Sequence, residues 1–166
     1  MTQALSLNYD EVGATGRTLP VGYRHLNRNV RLGRGRARFE RARDRLANWE
    51  MHRDAGLRVT ATSPHQVIGS DVQLTMSLGP FRIGAACRVI DVLDEPDHYS
   101  FAYGTLERHP EQGEERFSVR METNDDVTFH IVAFSRPGTT WTRLAPWLTE
   151  AVQDRMTARY LLSAAK

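Results

Sequence analysis

Three observations predict an α+β fold, with helices packed on one face of a meandering antiparallel sheet. Apolar residues recur every three or four positions over 36–52. From residue 57 to residue 135 they alternate instead with polar residues, in short runs separated by turn signals. The three-to-four spacing then returns over 141–165.

Residues 1–20 read as an irregular segment punctuated by Gly13, Gly16 and Pro20. Residues 22–32, GYRHLNRNVRL, alternate loosely and form the first expected strand, ended by Gly33 and Gly35. A helix over about 35–52 follows. Phe39, Ala42, Leu46 and Trp49 make its apolar stripe, and arginines cover its outer face. Gly56 marks its exit.

At Leu57 the period becomes two. Leu57, Val59 and Ala61 form one run, and Val72, Leu74, Met76 and Leu78 the next. Gly79-Pro80 is a turn into a longer strand over 81–93, and Glu95-Pro96-Asp97 is another turn. Strands are expected at 99–106, 114–123 and 127–135, with 107–113 as a loop and Asn124-Asp125-Asp126 as the turn of a hairpin. Pro137 and Gly138 end the series. Leu144, Leu148, Val152 and Met156 then lie along one face of a C-terminal helix over 141–165, with Pro146 in its first turn. The whole of 1–166 reads as one domain: the N-terminal segment, a sheet over 22–135 with an inserted helix, and the closing helix. A sheet covered by one long helix encloses a space between them, and such concave apolar spaces are where small molecules bind.

Composition narrows the class. The chain has 166 residues, enough for a core, with 40% hydrophobic and 25% charged residues. No apolar run approaches the roughly 20 residues of a membrane span. The start, MTQALSLNYDEVG, has no basic stretch followed by an apolar one, so no secretion signal is expected. The single cysteine, Cys87, cannot form an internal disulfide, so a cytoplasmic setting is the expectation. Charge is uneven. Nine arginines from Arg24 to Arg45 face only Glu40 and Asp44, a local balance of +7. The chain total is +2, which leaves −5 elsewhere. That stretch is read as a solvated face, with an anion- or nucleic-acid-binding surface as the alternative.

Several motifs carry a family resemblance: YDEVGATG, GYRH, the Trp49-Glu50-Met51-His52 tetrad, ACRVIDVLDE, FAYGTLERHPEQGEERF, AFSRPG, and the closing Gln153 and Arg159-Tyr160-Leu161. Through them the chain resembles, nearly end to end, the family called domain of unknown function 1990. The order of its elements resembles the helix-grip superfamily of steroid-transfer proteins, pollen allergens and polyketide cyclases. That resemblance implies a curved antiparallel sheet of about six or seven strands wrapped around the C-terminal helix. It also implies a hydrophobic ligand between them, and in some members non-redox chemistry on it.

The candidate site residues cluster in 101–119. Alternation puts Glu115 on the face of Phe117, Val119 and Met121, so a carboxylate enters an apolar space. Desolvation there raises its pKa unless a cation or donors hold the charged form, which suits a general acid or base. Tyr103 shares a face with Phe101, and its hydroxyl can bond a ligand oxygen or a developing oxyanion. His109 opens the 107–113 loop and can carry a proton near neutral pH. Phe101, Tyr103, Phe117, Val119, Phe129, Ile131, Leu148, Val152 and Met156 are the expected lining. Trp49 and His52 are expected to cap it from the inserted helix, and Arg136 to hold a ligand anion or neutralise Glu115.

No metal site is expected. The six histidines show neither HExxH nor close His/Cys spacing. No cofactor motif is complete: Gly33-Arg34-Gly35 lacks the third glycine, the lysine and the βαβ setting of a phosphate loop. Three functions stay open. One is binding of a small hydrophobic molecule. The second is a cofactor-free lyase, isomerase or cyclase using Glu115 or His109 as acid or base with Tyr103. The third is an anion-binding module built on the Arg24–Arg45 surface.

Overall fold

Seven antiparallel strands form one open sheet in the order β1-β7-β6-β5-β4-β3-β2. The structure, a computed structural model, describes residues 5–139, 142 and 146–166. The strands are β1 (Arg24–Arg34), β2 (Leu57–Ala61), β3 (Asp71–Leu78), β4 (Phe81–Glu95), β5 (His98–Thr105), β6 (Glu111–Met121) and β7 (Asp126–Pro137). Helices α1 (Arg36–Ala47) and α2 (Glu50–Asp54) join β1 to β2, and α3 (Pro146–Ala165) closes the chain. Strands adjacent in sequence from β2 to β7 pair as successive hairpins. The α1–α2 crossover carries the chain from one sheet edge to the other.

Alternation decides the faces. Phe101, Phe117, Val119, Phe129 and Ile131 point inward and are fully buried with Tyr160 and Ala164 of α3. Phe39 and Leu46 from α1, Trp49 from the helix junction and Met51 from α2 pack into the same core. A side chain of this kind contributes about 1.5–3 kcal/mol on burial, so this inner layer carries the fold. Register shifts at Arg31/Gly33 and Val89/Asp91 interrupt the ladders, as β-bulges do where a strand bends.

The inserted helix is not continuous to residue 52. Asn48 caps α1 through its side chain to the Asp44 carbonyl at 2.9 Å, and Trp49 takes the left-handed conformation with φ 62°. In one straight helix Trp49 and Met51 would lie about 200° apart, on opposite sides. The break lets both reach the core, where each is 1% exposed. That burial outweighs a backbone cost of roughly 1 kcal/mol.

The N-terminal segment packs on the outer face of the sheet. Its anchor is Glu114, only 3% exposed although it points away from the main core. The carboxylate accepts from the Gly13 N–H at 2.7 Å, the Thr15 N–H at 3.0 Å, the Thr15 hydroxyl and the Tyr9 hydroxyl at 3.1 Å. Tyr9, Ala14 and Phe134 form a second small core beneath it. Gly104 makes this docking possible, since a Cβ there would lie 2.1 Å from the Tyr9 hydroxyl.

The charge asymmetry resolves into pairing within the chain. Arg24 meets Asp154 at 2.6 Å, Arg31 and Arg34 meet Asp126 at 2.7 and 3.3 Å, and Arg36 meets Asp97. Arg43 meets Asp94 at 2.6 Å and Arg45 meets Asp54 at 2.5 Å. Each exposed pair is worth only about 0–1 kcal/mol. Together they give six of the nine arginines an acidic neighbour within the chain. No helix among the described residues is long and apolar enough to cross a membrane.

Candidate functional site

The inward residues of β6, taken from its first residue, are Glu111, Gly113, Glu115, Phe117 and Val119. Phe117 and Val119 fall under the α1–α2 layer and are packed solid. Nearer the start of β6 that layer no longer reaches, and a cavity of about 300 Å³ remains between the sheet and α3. Its walls are apolar, with Leu26, Leu74, Met76, Ile83, Ala85 and Met156 among them. Glu111 and Glu115 both open into it. Gly113 lies between them in the strand, pressed so close to β7 that a Cβ would lie 1.9 Å from the Phe134 carbonyl oxygen.

Glu115 is held by Tyr103, whose hydroxyl donates to its Oε2 at 2.8 Å. Burial pushes the Glu115 carboxyl from 4.5 up to about 7; the Tyr103 bond opposes this and repulsion from Glu111 adds to it. Glu115 is only partly exposed and lines the cavity, and desolvation dominates its shift. Tyr103 is itself pushed well above its usual pKa, first by burial and then by the Glu115 charge, and stays a neutral donor.

Glu111 is the centre of a second polar group. The Gln153 amide, from α3, donates to Glu111 Oε1 and to Ser135 Oγ at 2.7 Å. The Gln153 carbonyl oxygen accepts from Arg24, which also grips Asp154 at 2.6 Å. Burial raises the Glu111 carboxyl to about 7, against the Gln153 bond and the Arg24 charge. Tyr160, Cys87, Thr105, Glu114, Thr142 and Thr157 also belong to the polar part of the lining. The Cys87 thiol is pushed above its usual range by burial, so it stays protonated.

Five of the expected site residues meet at this cavity: Glu115, Tyr103, His109, Val152 and Met156. His109 lines it, but its Nδ1 accepts the Glu111 backbone N–H at 2.9 Å, and burial lowers its pKa to about 4. It is neutral at physiological pH and shapes the β5–β6 connection. Phe101, Phe117, Val119, Phe129 and Ile131 do not line the cavity; they form the filled core beside it, because α1 and α2 cover that end of the sheet. Trp49 and His52 belong to the same core. His52 is caged by Trp49, Phe117 and Tyr160 at ring separations of 5.0, 4.8 and 5.1 Å. Neither of its ring nitrogens has a hydrogen-bond partner, and burial lowers its pKa to about 3. Arg136 points to the outer face, bonded to Gln112 at 2.9 Å and stacked on Tyr23, so it reaches neither Glu115 nor the cavity. Leu144 and the Leu148 side chain lie outside the described residues.

Sequence reasoning missed Glu111, Ser135, Gln153, Arg24 and Tyr160. Glu111 was legible: alternation carried back from Glu115 across Gly113 reaches it. Reading Gly113 as the end of a loop hid it. Gln153 and Tyr160 fall on the Val152–Met156 face of the helix, one turn apart from their neighbours.

A family profile described as "Domain of unknown function (DUF1990)" matches residues 8–163. The chain belongs to this family. A UPF0548 protein of Deinococcus radiodurans is 36% identical over 92% of this chain and 83% of its own length. Among solved structures, hypothetical protein jhp0584 from Helicobacter pylori superposes with a TM-score of 0.65 at 10% identity, covering 99% of this chain and 97% of its own. The ZhuI aromatase/cyclase of Streptomyces sp. R1128 superposes with a TM-score of 0.62 at 14% identity, over 86% of this chain and 92% of its own. At these identities the likeness shows the fold alone, a helix-grip fold with the sheet closed by its last helix. Among the described residues, His, Cys, Asp and Glu side chains do not gather in threes as metal ligands would.

Proposed function

We propose that the protein binds a small, mostly apolar molecule in the cavity between the sheet and α3. The observation that carries this is the unfilled space of about 300 Å³ with mostly apolar walls, lined also by Glu111 and Glu115. It lies at the small end of the range for ligand sites, roughly 300–1,000 Å³. That size favours a compact ring system over a long acyl chain. The expected result is saturable micromolar binding of a neutral solvatochromic dye such as Nile red, lost on filling the cavity with Ala85→Phe. Binding that survives Ala85→Phe unchanged places the dye elsewhere and removes this reading. Mass spectrometry of whatever co-purifies under mild conditions would name the ligand class.

A second reading, cofactor-free proton transfer, is favoured by the Tyr103–Glu115 pair. A carboxyl titrating at about 7 is matched to moving a proton at neutral pH. The Glu115 carboxylate would take a proton from carbon while a neutral Tyr103 hydroxyl turns to the developing oxyanion. The ZhuI protein, an aromatase/cyclase with this fold, supports the plausibility of such chemistry in a cavity so placed. With a substrate in hand, Glu115→Gln should lower kcat by roughly a hundredfold or more; unchanged turnover clears Glu115 of the role.

A further inference from the structure

Taking the cavity as a binding site, we infer that its ligand carries a positively charged nitrogen: a protonated amine on an apolar, ring-sized body, with the ammonium lodged between Glu111 and Glu115. Three features of the lining lead there. Glu111 and Glu115 lie on the same face of β6, and both line the same space. Each has only one oxygen engaged by the protein, Glu115 Oε2 by Tyr103 and Glu111 Oε1 by Gln153. Among the described residues the other oxygen of each has no partner. The one permanent cation of the lining, Arg24, is committed to Gln153 and Asp154.

A ligand carboxylate or phosphate would therefore meet two acids and no available donor cation. An ammonium offers three N–H donors, and each carboxyl group has an unengaged oxygen to accept one. It also lies beside the rings of Tyr103 and Tyr160, which line the same end of the cavity and whose faces attract cations. Burial in the apolar pocket raises the proton affinity of both carboxyl groups, and repulsion from Glu111 adds to it at Glu115; a bound ammonium would favour the charged form of each. Leu26, Leu74, Met76 and Ile83 are left for the apolar body.

Three probes of one shape test this: 2-phenylethylamine, 2-phenylethanol and phenylacetate, titrated calorimetrically into the full chain at low salt, up to millimolar concentration. The amine should bind roughly tenfold or more tighter than the alcohol, in line with hydrogen bonds to charged groups, and phenylacetate should bind more weakly than the alcohol. Glu111→Gln and Glu115→Gln should each bring the amine-to-alcohol ratio down toward one. The exposed Glu40→Gln on α1 should leave it unchanged. If the alcohol binds as tightly as the amine, or phenylacetate binds best, the ammonium assignment is overturned while the cavity stands. If none of the three binds, the cavity reading itself falls and takes this inference with it.

Discussion

Replacing Glu115 by glutamine should make the protein more stable in mild alkali while changing little in mild acid. The carboxyl titrates at about 7 in the fold against 4.5 in an open chain. The folded pKa is the higher one, so the native state holds the extra proton. The stability this group contributes is complete below about pH 4.5 and is lost as pH rises through about 7. At about 1.4 kcal/mol per tenfold difference in proton affinity, the ionised carboxylate leaves the native state about 3 kcal/mol worse off by about pH 8.5. The glutamine that replaces it has no proton to lose, and its amide oxygen can still accept from Tyr103. Any fixed cost of packing the amide is the same at every pH, so the quantity to follow is the change in the difference between variant and wild type. Urea unfolding from about pH 4.5 to about pH 8.5 should show the Glu115→Gln midpoint gaining roughly 1–2 M on wild type across that range. Glu111, also raised to about 7, keeps a slope of the same sign in the variant. Parallel curves for the two proteins would refute the burial of Glu115 in an apolar cavity.

Gly104→Ala should lower stability by about 1–3 kcal/mol, because its Cβ would strike the Tyr9 hydroxyl; limited proteolysis should then cut within residues 5–20, where wild type resists. His52→Phe should raise stability by about 1–2 kcal/mol at pH 7, since it removes two buried ring nitrogens without partners. The gain should widen as pH falls from 6.5 toward 3, the window in which a histidine with a depressed pKa loses its contribution; thermal unfolding at several pH values reads both. On heparin the protein should elute below roughly 0.2 M salt, because most of the Arg24–Arg45 stretch is paired with aspartates; retention to high salt would favour a polyanion partner instead.

Residue order alone gave the alternation of β3 to β7, the apolar stripe of α1 and the face of α3 bearing Val152 and Met156. These are local properties: a period of two or of 3.6 is written in neighbouring side chains, and the backbone that suits them follows. The direction of Glu115 was legible for the same reason. Three matters were decided only by tertiary packing. Helices α1 and α2 cover one end of the sheet, which turned Phe101, Phe117, Val119, Phe129 and Ile131 from expected cavity wall into filled core, and broke the helix at Trp49 so that Met51 could join them. The N-terminal segment lies on the outer face, which gave buried partners to Glu114, a residue that alternation alone sends to solvent. Glu111, Gln153, Ser135 and Arg24 meet from β6, α3, β7 and β1. Periodicity tells each side chain which face of its own element it occupies. Only the packing of elements distant in sequence determines what stands opposite that face, another side chain or an empty space.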